Sequence, residues 1–373
     1  MSATRADLFC RVVDNYGDIG VCWRLARRLA HGRGWQVRLW VDELAAFARI
    51  QPGVQPDAAR QEVAGIEVRH WPREPAGPLP EPGDVVIEAF ACDPPEDFVA
   101  AMRRTQPLWI NLEYLSAESW IEGCHGLPSQ RPDGLVKHFF FPGFTAATGG
   151  LLREPGLTAE RDAFQASRAQ QLQFLAGLGL TAAQLAPLGR GARLATLFCY
   201  PHAPWAELAR ALAADRTETL LLAPEGVAPG LEQAVPAGGR LHLARVPFVT
   251  QPDFDRLLWC ADLNLVRGED SFVRAAWAAR PLVWQIYPQE EDVHLEKLAA
   301  WQARFAAPPQ AHALVQAWNA TPADVPAALA AALADPAWTA WRQAARDWDA
   351  ALSVRPDLAD NLADFCAELL RTR

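Results

Sequence analysis

The sequence predicts an α/β protein built as two doubly wound, Rossmann-like domains. Three observations carry that expectation. Apolar, strand-like segments alternate with helix-period segments through much of the chain, the pattern of a parallel sheet covered by helices. A strand, a glycine-bearing polar turn and a helix occur in that order near the start, at residues 8–29, and again at residues 262–277. The length of 373 residues, half of them hydrophobic, suits two cores of ordinary size.

Lys and Arg number 35 against 44 Asp and Glu, a net charge of −9. An acidic chain without basic runs argues against nucleic acid as the main ligand. The first seven residues lack the apolar core of a signal peptide. No apolar run approaches the ~20 residues of a membrane span. The expected location is the cytoplasm, away from membranes. Seven scattered cysteines form no CxxC pair, which fits reduced, buried thiols. Cys124-His125 is the one Cys/His neighbour pair, and such a pair is ordinarily structural.

In the first half, Leu8-Phe9-Cys10 leads through Arg11-Val12-Val13 into Asp14-Asn15-Tyr16-Gly17-Asp18-Ile19-Gly20. A helix follows with Val21, Leu25 and Leu29 on one stripe. The turn falls at the carboxyl end of a strand, where open α/β sheets bind ligands. Gly17 and Gly20 permit close backbone approach. Asp14 and Asp18 place two carboxylates in the turn. Asp18 reads equally as a helix N-cap or as a group aimed at a ligand. Further strands are expected at 35–41, 66–71, 84–90 and 108–112, with a short helix after Asp42-Glu43 and another ending near Arg103-Arg104. The strand-end loops 88–95 and 111–116 carry acids that could meet a cationic substrate, or could serve as caps and turns. Residues 123–156 are rich in Pro and Gly, yet Phe139-Phe140-Phe141-Pro142-Gly143-Phe144 is too apolar for a linker. This segment is expected to pack under a cleft between the domains, by default as a structural aromatic cluster and alternatively as a partner-binding surface.

In the second half a helix is expected at about 158–178, then strands at 193–200, 219–224 and 241–246. The domains are expected to be 1–185 and 186–356. A terminal helix starting at Asp357, with Leu358, Leu362, Phe365 and Leu369 on one stripe, docks back on the first. Residues 262–277 repeat the strand, glycine turn and helix. Gly268 lets the backbone turn, and Ser271 can cap the helix. The helix N-terminus and Arg267 suit a diphosphate. Glu269 and Asp270 would repel phosphate, so sugar hydroxyls or ordering of the turn are the better roles. Asp253-Phe254-Asp255 spells DxD, but at a helix start it reads as an N-cap. The chain has no GxGxxG after the first strand, no Walker A loop and no GxSxG elbow. Without clustered ligands no metal is expected.

Residues 14–20 with Trp23-Arg24-Leu25-Ala26-Arg27 resemble the start of the protein-arginine rhamnosyltransferases that modify bacterial elongation factor P, the EarP family. Residues 139–144, Phe198-Cys199-Tyr200-Pro201 and 267–271 resemble the same family, over essentially the whole length. The resemblance implies a GT-B glycosyltransferase, two Rossmann-like domains facing a cleft. It implies inverting transfer of L-rhamnose from dTDP-β-L-rhamnose to an arginine of elongation factor P, with no metal or other cofactor. Asp18 is then the catalytic base and Glu269 is essential. Phe198 and Tyr200 hold the thymidine part. Gln251, Arg267, Asp270 and Ser271, with Gly268 in the turn, contact the nucleotide sugar. Asn15, Tyr16 and Gly17 line the sugar and acceptor side, and Asp14 is expected to bind the guanidinium together with Asp18. Two other readings stay open: a GT-B transferase acting on lipid or polysaccharide, and a non-catalytic nucleotide-sugar sensor, which would have no need of the paired acids Asp14 and Asp18.

Overall fold

The computed structural model describes residues 3–14, 16–71 and 78–372. It divides into two compact units, Met1–Pro155 with Arg355–Arg373, and Gly156–Val354. In the first unit the strands are β1 (Arg5–Cys10), β2 (Gln36–Val41), β3 (Arg60–Val63), β4 (Ile66–His70), β5 (Val85–Ala89), β6 (Leu108–Leu112), β7 (Pro128–Gln130) and β8 (Val136–Phe140). They form one sheet in the order β3-β4-β2-β1-β5-β6-β8-β7. The inner six strands are parallel. β5 and β6 are buried along their whole length, as expected for parallel strands covered on both faces. The chain runs outward from β1 in one direction and from β5 in the other, so the switch point lies between these two strands.

Three strands were not foreseen, β3, β7 and β8. β3 and β7 are short, largely exposed and antiparallel to their neighbours. Edge strands of that kind carry little apolar signal, and β7 even opens on Pro128. Part of the 123–156 segment is therefore sheet. Its aromatic run does pack as a structural cluster within this unit: Phe140 is buried and lies 5.6 Å from Phe365 and 4.6 Å from His125, between ring centroids.

The terminal helix, Leu358–Arg371, belongs to the first unit. Asp357 caps it, its Oδ1 accepting from the N–H groups of Ala359 and Asp360. Leu358, Leu362 and Cys366 are buried. Gly149 is required beside it, because a Cβ there would fall 2.4 Å from Phe140. Arg28 donates to Asp357, and Arg33 donates to Asp364.

The boundary expected at 185 lies instead between Pro155 and Gly156. The intervening helices are held to the second unit by contacts distant in sequence. Arg161 donates to the Trp277 carbonyl at 2.8 Å, Gln165 donates to the Ala278 carbonyl at 2.9 Å, and Phe164 packs edge-on to Trp259. The single helix expected at 158–178 is two, Leu157–Ala166 and Arg168–Gly177. Ser167 between them is extended, and its hydroxyl accepts from the Gln170 N–H to start the second. A serine that caps is a helix boundary that periodicity alone does not see.

The second unit carries β9 (Arg193–Leu197), β10 (Thr219–Pro224), β11 (Leu241–Val246), β12 (Leu263–Arg267) and β13 (Leu282–Gln285). The sheet is wholly parallel, ordered β11-β10-β9-β12-β13. Its switch point lies between β9 and β12. Asp253 is not the N-cap of the following helix, Gln251–Cys260; Thr250 is, accepting from the Asp253 N–H. Asp255, the other acid of the DxD, makes a buried two-pronged ion pair with Arg274, at 2.8 and 2.7 Å. All seven cysteines are free thiols. No helix among the described residues is long and apolar enough to cross a membrane.

Candidate active site

The two glycine turns singled out from the sequence both lie at the carboxyl edge of their own sheet, each beside that sheet's switch point. In the first unit the loop leaves β1 at Cys10 and enters the helix Gly17–Arg27. Asp18 is 3% exposed. Its Oδ2 accepts from the backbone N–H groups of Val13 at 2.7 Å and Asp14 at 2.8 Å. It is therefore not the helix N-cap; Tyr16 holds that position, without a side-chain bond. The Asp18 carboxylate instead folds back on the loop before the helix. Burial lifts its pKa above the ordinary aspartate value. The two N–H bonds oppose the shift, and the charges of Asp14 and Asp42 add to it. Gly17 donates to the Asp14 carbonyl at 2.7 Å, and a Cβ at Gly17 would lie 2.9 Å from Asp14 Oδ2. Asp14, Tyr16 and Gly17 are half-buried around the carboxylate-bearing turn. Asn15 lies outside the described residues.

The loop after β5 sits beside this turn, since Phe9 of β1 pairs with Glu88 of β5. Phe90, Ala91 and Asp93 all have φ between +50° and +59°, a left-handed conformation that non-glycine residues adopt at a cost. Asn111 helps hold them: its Oδ1 accepts from the Ala91 N–H at 3.2 Å, while its Nδ2 donates to Glu113 at 2.6 Å. Phe90 stacks on Tyr114, centroids 4.3 Å apart. Of the acids expected to meet a cationic substrate here, Glu88 is already matched. It is fully buried against Lys137, whose ammonium also lies 4.6 Å from the Trp109 ring centroid. Local sequence could not show this, because Lys137 lies two strands away.

In the second unit Arg267, the last residue of β12, lies between two aromatic rings that follow β9. Its guanidinium carbon is 5.0 Å from the Phe198 centroid and 4.7 Å from the Tyr200 centroid, a cation–π arrangement that limits its rotamers. Phe254 packs on Phe198, and His202 and Tyr287 pack on Tyr200. Gly268 has φ 62° and ψ −167°, open to glycine and closed to other residues. The helix Glu269–Trp277 starts directly after it. Ser271 therefore lies inside the first turn and does not cap, contrary to expectation, and no side-chain cap bond is present. The helix cap lies three residues earlier than the sequence suggested because Gly268, with its positive φ, makes the turn itself. The positive end of this helix's dipole suits an anion. Glu269 and Asp270 are in that turn, half-buried, and Gln251 is buried at the start of its own helix. Phe272 fixes the helix from beneath by stacking on Trp284 of β13 at 4.1 Å. Phe254, Tyr287, His202 and Gln285 were not foreseen as site residues. Gln285 could have been noticed as the polar end of an apolar strand at the ligand edge.

Residues 6–367 match the family model described as Elongation-Factor P (EF-P) rhamnosyltransferase EarP. The chain belongs to the EarP family. A protein-arginine rhamnosyltransferase of Pseudomonas putida is 50% identical over 96% of this chain and 97% of its own length. That of Pseudomonas aeruginosa is 49% identical, covering 98% of this chain and 99% of its own. One from Neisseria meningitidis is 38% identical over 98% of both. A solved structure concerning EarP-mediated arginine glycosylation of translation elongation factor EF-P aligns with a TM-score of 0.65 at 35% identity, over 98% of this chain and 99% of that one. A UDP-glucosyltransferase from Polygonum tinctorium, at 11% identity and a TM-score of 0.59 over 98% of both chains, shares the fold. This EarP-family chain is thus an enzyme, a protein-arginine rhamnosyltransferase, and its two Rossmann-like units are those of a GT-B glycosyltransferase.

Proposed function

We propose that this enzyme moves L-rhamnose from dTDP-β-L-rhamnose to an arginine side chain of elongation factor P, with inversion, without a metal, and in the cytoplasm. The observation that carries the reading is Asp18, a buried carboxylate with a raised pKa at the ligand edge of the first unit. An arginine guanidinium has a pKa above ~12 and is a poor nucleophile while charged. Asp14 and Asp18 bind it, confine its π electrons away from the reacting nitrogen, and give the proton a destination. In one displacement the nitrogen–C1 bond forms, the C1–oxygen bond to the diphosphate breaks, and the nitrogen's proton passes to Asp18. The departing diphosphate takes the electron pair. Arg267 and the first turn of the helix Glu269–Trp277 offset its charge. Phe198 and Tyr200 supply flat surfaces for the thymine. Glu269, Asp270, Ser271, Gly268 and Gln251 surround the sugar diphosphate.

The test is intact-mass measurement of elongation factor P after incubation with the enzyme and dTDP-L-rhamnose, with and without chelator. A gain of one deoxyhexose, unaffected by chelator, is expected. Rhamnose appearing in a lipid extract and none on the protein would overturn the acceptor assignment, and donor binding without any product would favour a sensor.

Replacing Arg267 by Lys tests the donor side. Lysine keeps the charge but loses the planar fork and the stacking on two rings. The KM for the donor is expected to rise about tenfold, in line with one lost charge-assisted bond, with the KM for the acceptor unchanged. Steady-state kinetics varying each substrate separately reads this.

A further inference from the structure

The donor-side aromatics are held by backbone as well as by each other, and one side chain does much of the holding. Gln285 is the last residue of β13 and is 2% exposed. β12 lies between β13 and β9. The Gln285 amide nevertheless reaches across the end of β12, and its Oε1 accepts from the Tyr200 N–H at 2.8 Å. Its backbone carbonyl accepts from the Gly268 N–H at 3.2 Å. The adjacent Trp284 donates its indole N–H to the Gly268 carbonyl at 2.8 Å. One residue thus ties the aromatic turn after β9 to the glycine turn after β12.

The orientation of the amide follows from donor and acceptor chemistry. A backbone N–H can only donate, so the amide oxygen must face Tyr200. The amide nitrogen then faces His202, whose Nε2 lies 3.2 Å away. Nε2 must therefore accept, and the ring proton sits on Nδ1. The His202 ring in turn lies parallel to Tyr200, centroids 5.8 Å apart. The strut is itself anchored. Asn319 donates to the Trp284 carbonyl at 2.8 Å and accepts from the Ile286 N–H at 3.1 Å, gripping the strand on both sides of Gln285.

We infer that Gln285 is a positioning residue for the donor nucleotide: it sets the distance between the Tyr200 turn, which flanks Arg267, and the Gly268 turn, which opens the anion-binding helix. This rests on the donor reading proposed above. Loss of the side-chain amide leaves a buried N–H without its acceptor. The Tyr200 turn relaxes, and the rings no longer hold Arg267 at the place where the diphosphate needs it.

The experiment is calorimetric titration with dTDP, together with kinetics, on the wild-type enzyme, Gln285→Leu and Gln285→Glu. Gln285→Leu fills similar space but accepts nothing. It is expected to weaken dTDP binding about tenfold, the scale of one buried donor left unmatched. The KM for the donor should rise alike, while the acceptor KM and kcat at saturating donor hold. Gln285→Glu still presents an oxygen to the Tyr200 N–H and should recover most of the affinity. Amide exchange at Tyr200 should quicken in the Leu variant and not in the Glu variant. Wild-type affinity in Gln285→Leu overturns the inference, as does an equal loss in both variants or a rise in both KM values together. Failure of the wild-type enzyme itself to bind dTDP overturns the donor reading and the inference with it.

Discussion

Replacing Asp18 by Asn is expected to leave dTDP binding intact and lower kcat by about 10²–10⁴-fold, the range for loss of a positioned proton acceptor. Asparagine is nearly isosteric, and its side-chain oxygen can still accept from Val13 and Asp14, the two N–H groups that Asp18 holds at 2.7 and 2.8 Å. The loop therefore keeps its shape, and what disappears is the negative charge and the proton acceptor. Single-turnover transfer with saturating donor separates the two effects, and a turnover rate near wild type would remove Asp18 from the chemistry. The pH profile gives an independent reading. Burial, Asp14 and Asp42 push the Asp18 pKa up, with the two N–H bonds opposing. The group must be ionised to accept a proton, so kcat should fall on the acid side at a pH above the ordinary aspartate range. Stability has the opposite sign. A folded-state pKa above the unfolded one means that the folded state binds more protons, so this group's contribution diminishes as pH rises through the folded value. Asp18→Asn should therefore lose activity while holding or gaining stability at neutral pH, a combination that a merely structural acid would not give.

Asp255→Asn is expected to destabilise the second unit by about 3–5 kcal/mol, the scale of breaking a buried ion pair from one side. Arg274 is 1% exposed and donates through two nitrogens to Asp255, itself 5% exposed. Neutralising the acid leaves a guanidinium in the core with a much weaker partner. For a unit of this size that corresponds to a fall in the thermal midpoint of about 10 °C. The pair joins the helix that begins at Gln251 to the helix that begins at Glu269, so donor affinity should fall as well. Replacing both residues together, Asp255→Leu with Arg274→Met, should restore much of the stability, since a buried pair can be exchanged for apolar packing at little cost. Calorimetry on the three variants reads this. A shift below about 1 kcal/mol for Asp255→Asn would show that the unit tolerates the lone charge.

Much of the fold was legible along the chain because its signals are local. Apolar runs such as 219–224 and 108–112 became buried parallel strands, and the stripe Leu358, Leu362 became the inner face of the terminal helix. Both glycine turns could be found because a glycine in a polar turn between a strand and a helix marks a special backbone position, though the reasons differ: Gly268 adopts positive φ, while Gly17 lets Asp14 approach closely. Residues 14–20 and 267–271 also carried the family resemblance, and the family model covers both.

Tertiary structure decided the rest. Whether Asp18 capped its helix or turned back on its loop depended on where the strand delivered Val13 and Asp14. The boundary at Pro155 depended on Arg161 and Gln165 meeting carbonyls of residues 277 and 278. The edge strands β3 and β7 depended on having β4 and β8 to pair with. The withdrawal of Glu88 by Lys137, and the reach of Gln285 to Tyr200, joined residues tens of positions apart. Periodicity and turn chemistry arise from neighbours within a few residues, so one sequence displays them. A hydrogen bond or ion pair between distant segments exists only after the chain has folded, and its partners leave no mark on one another's local pattern.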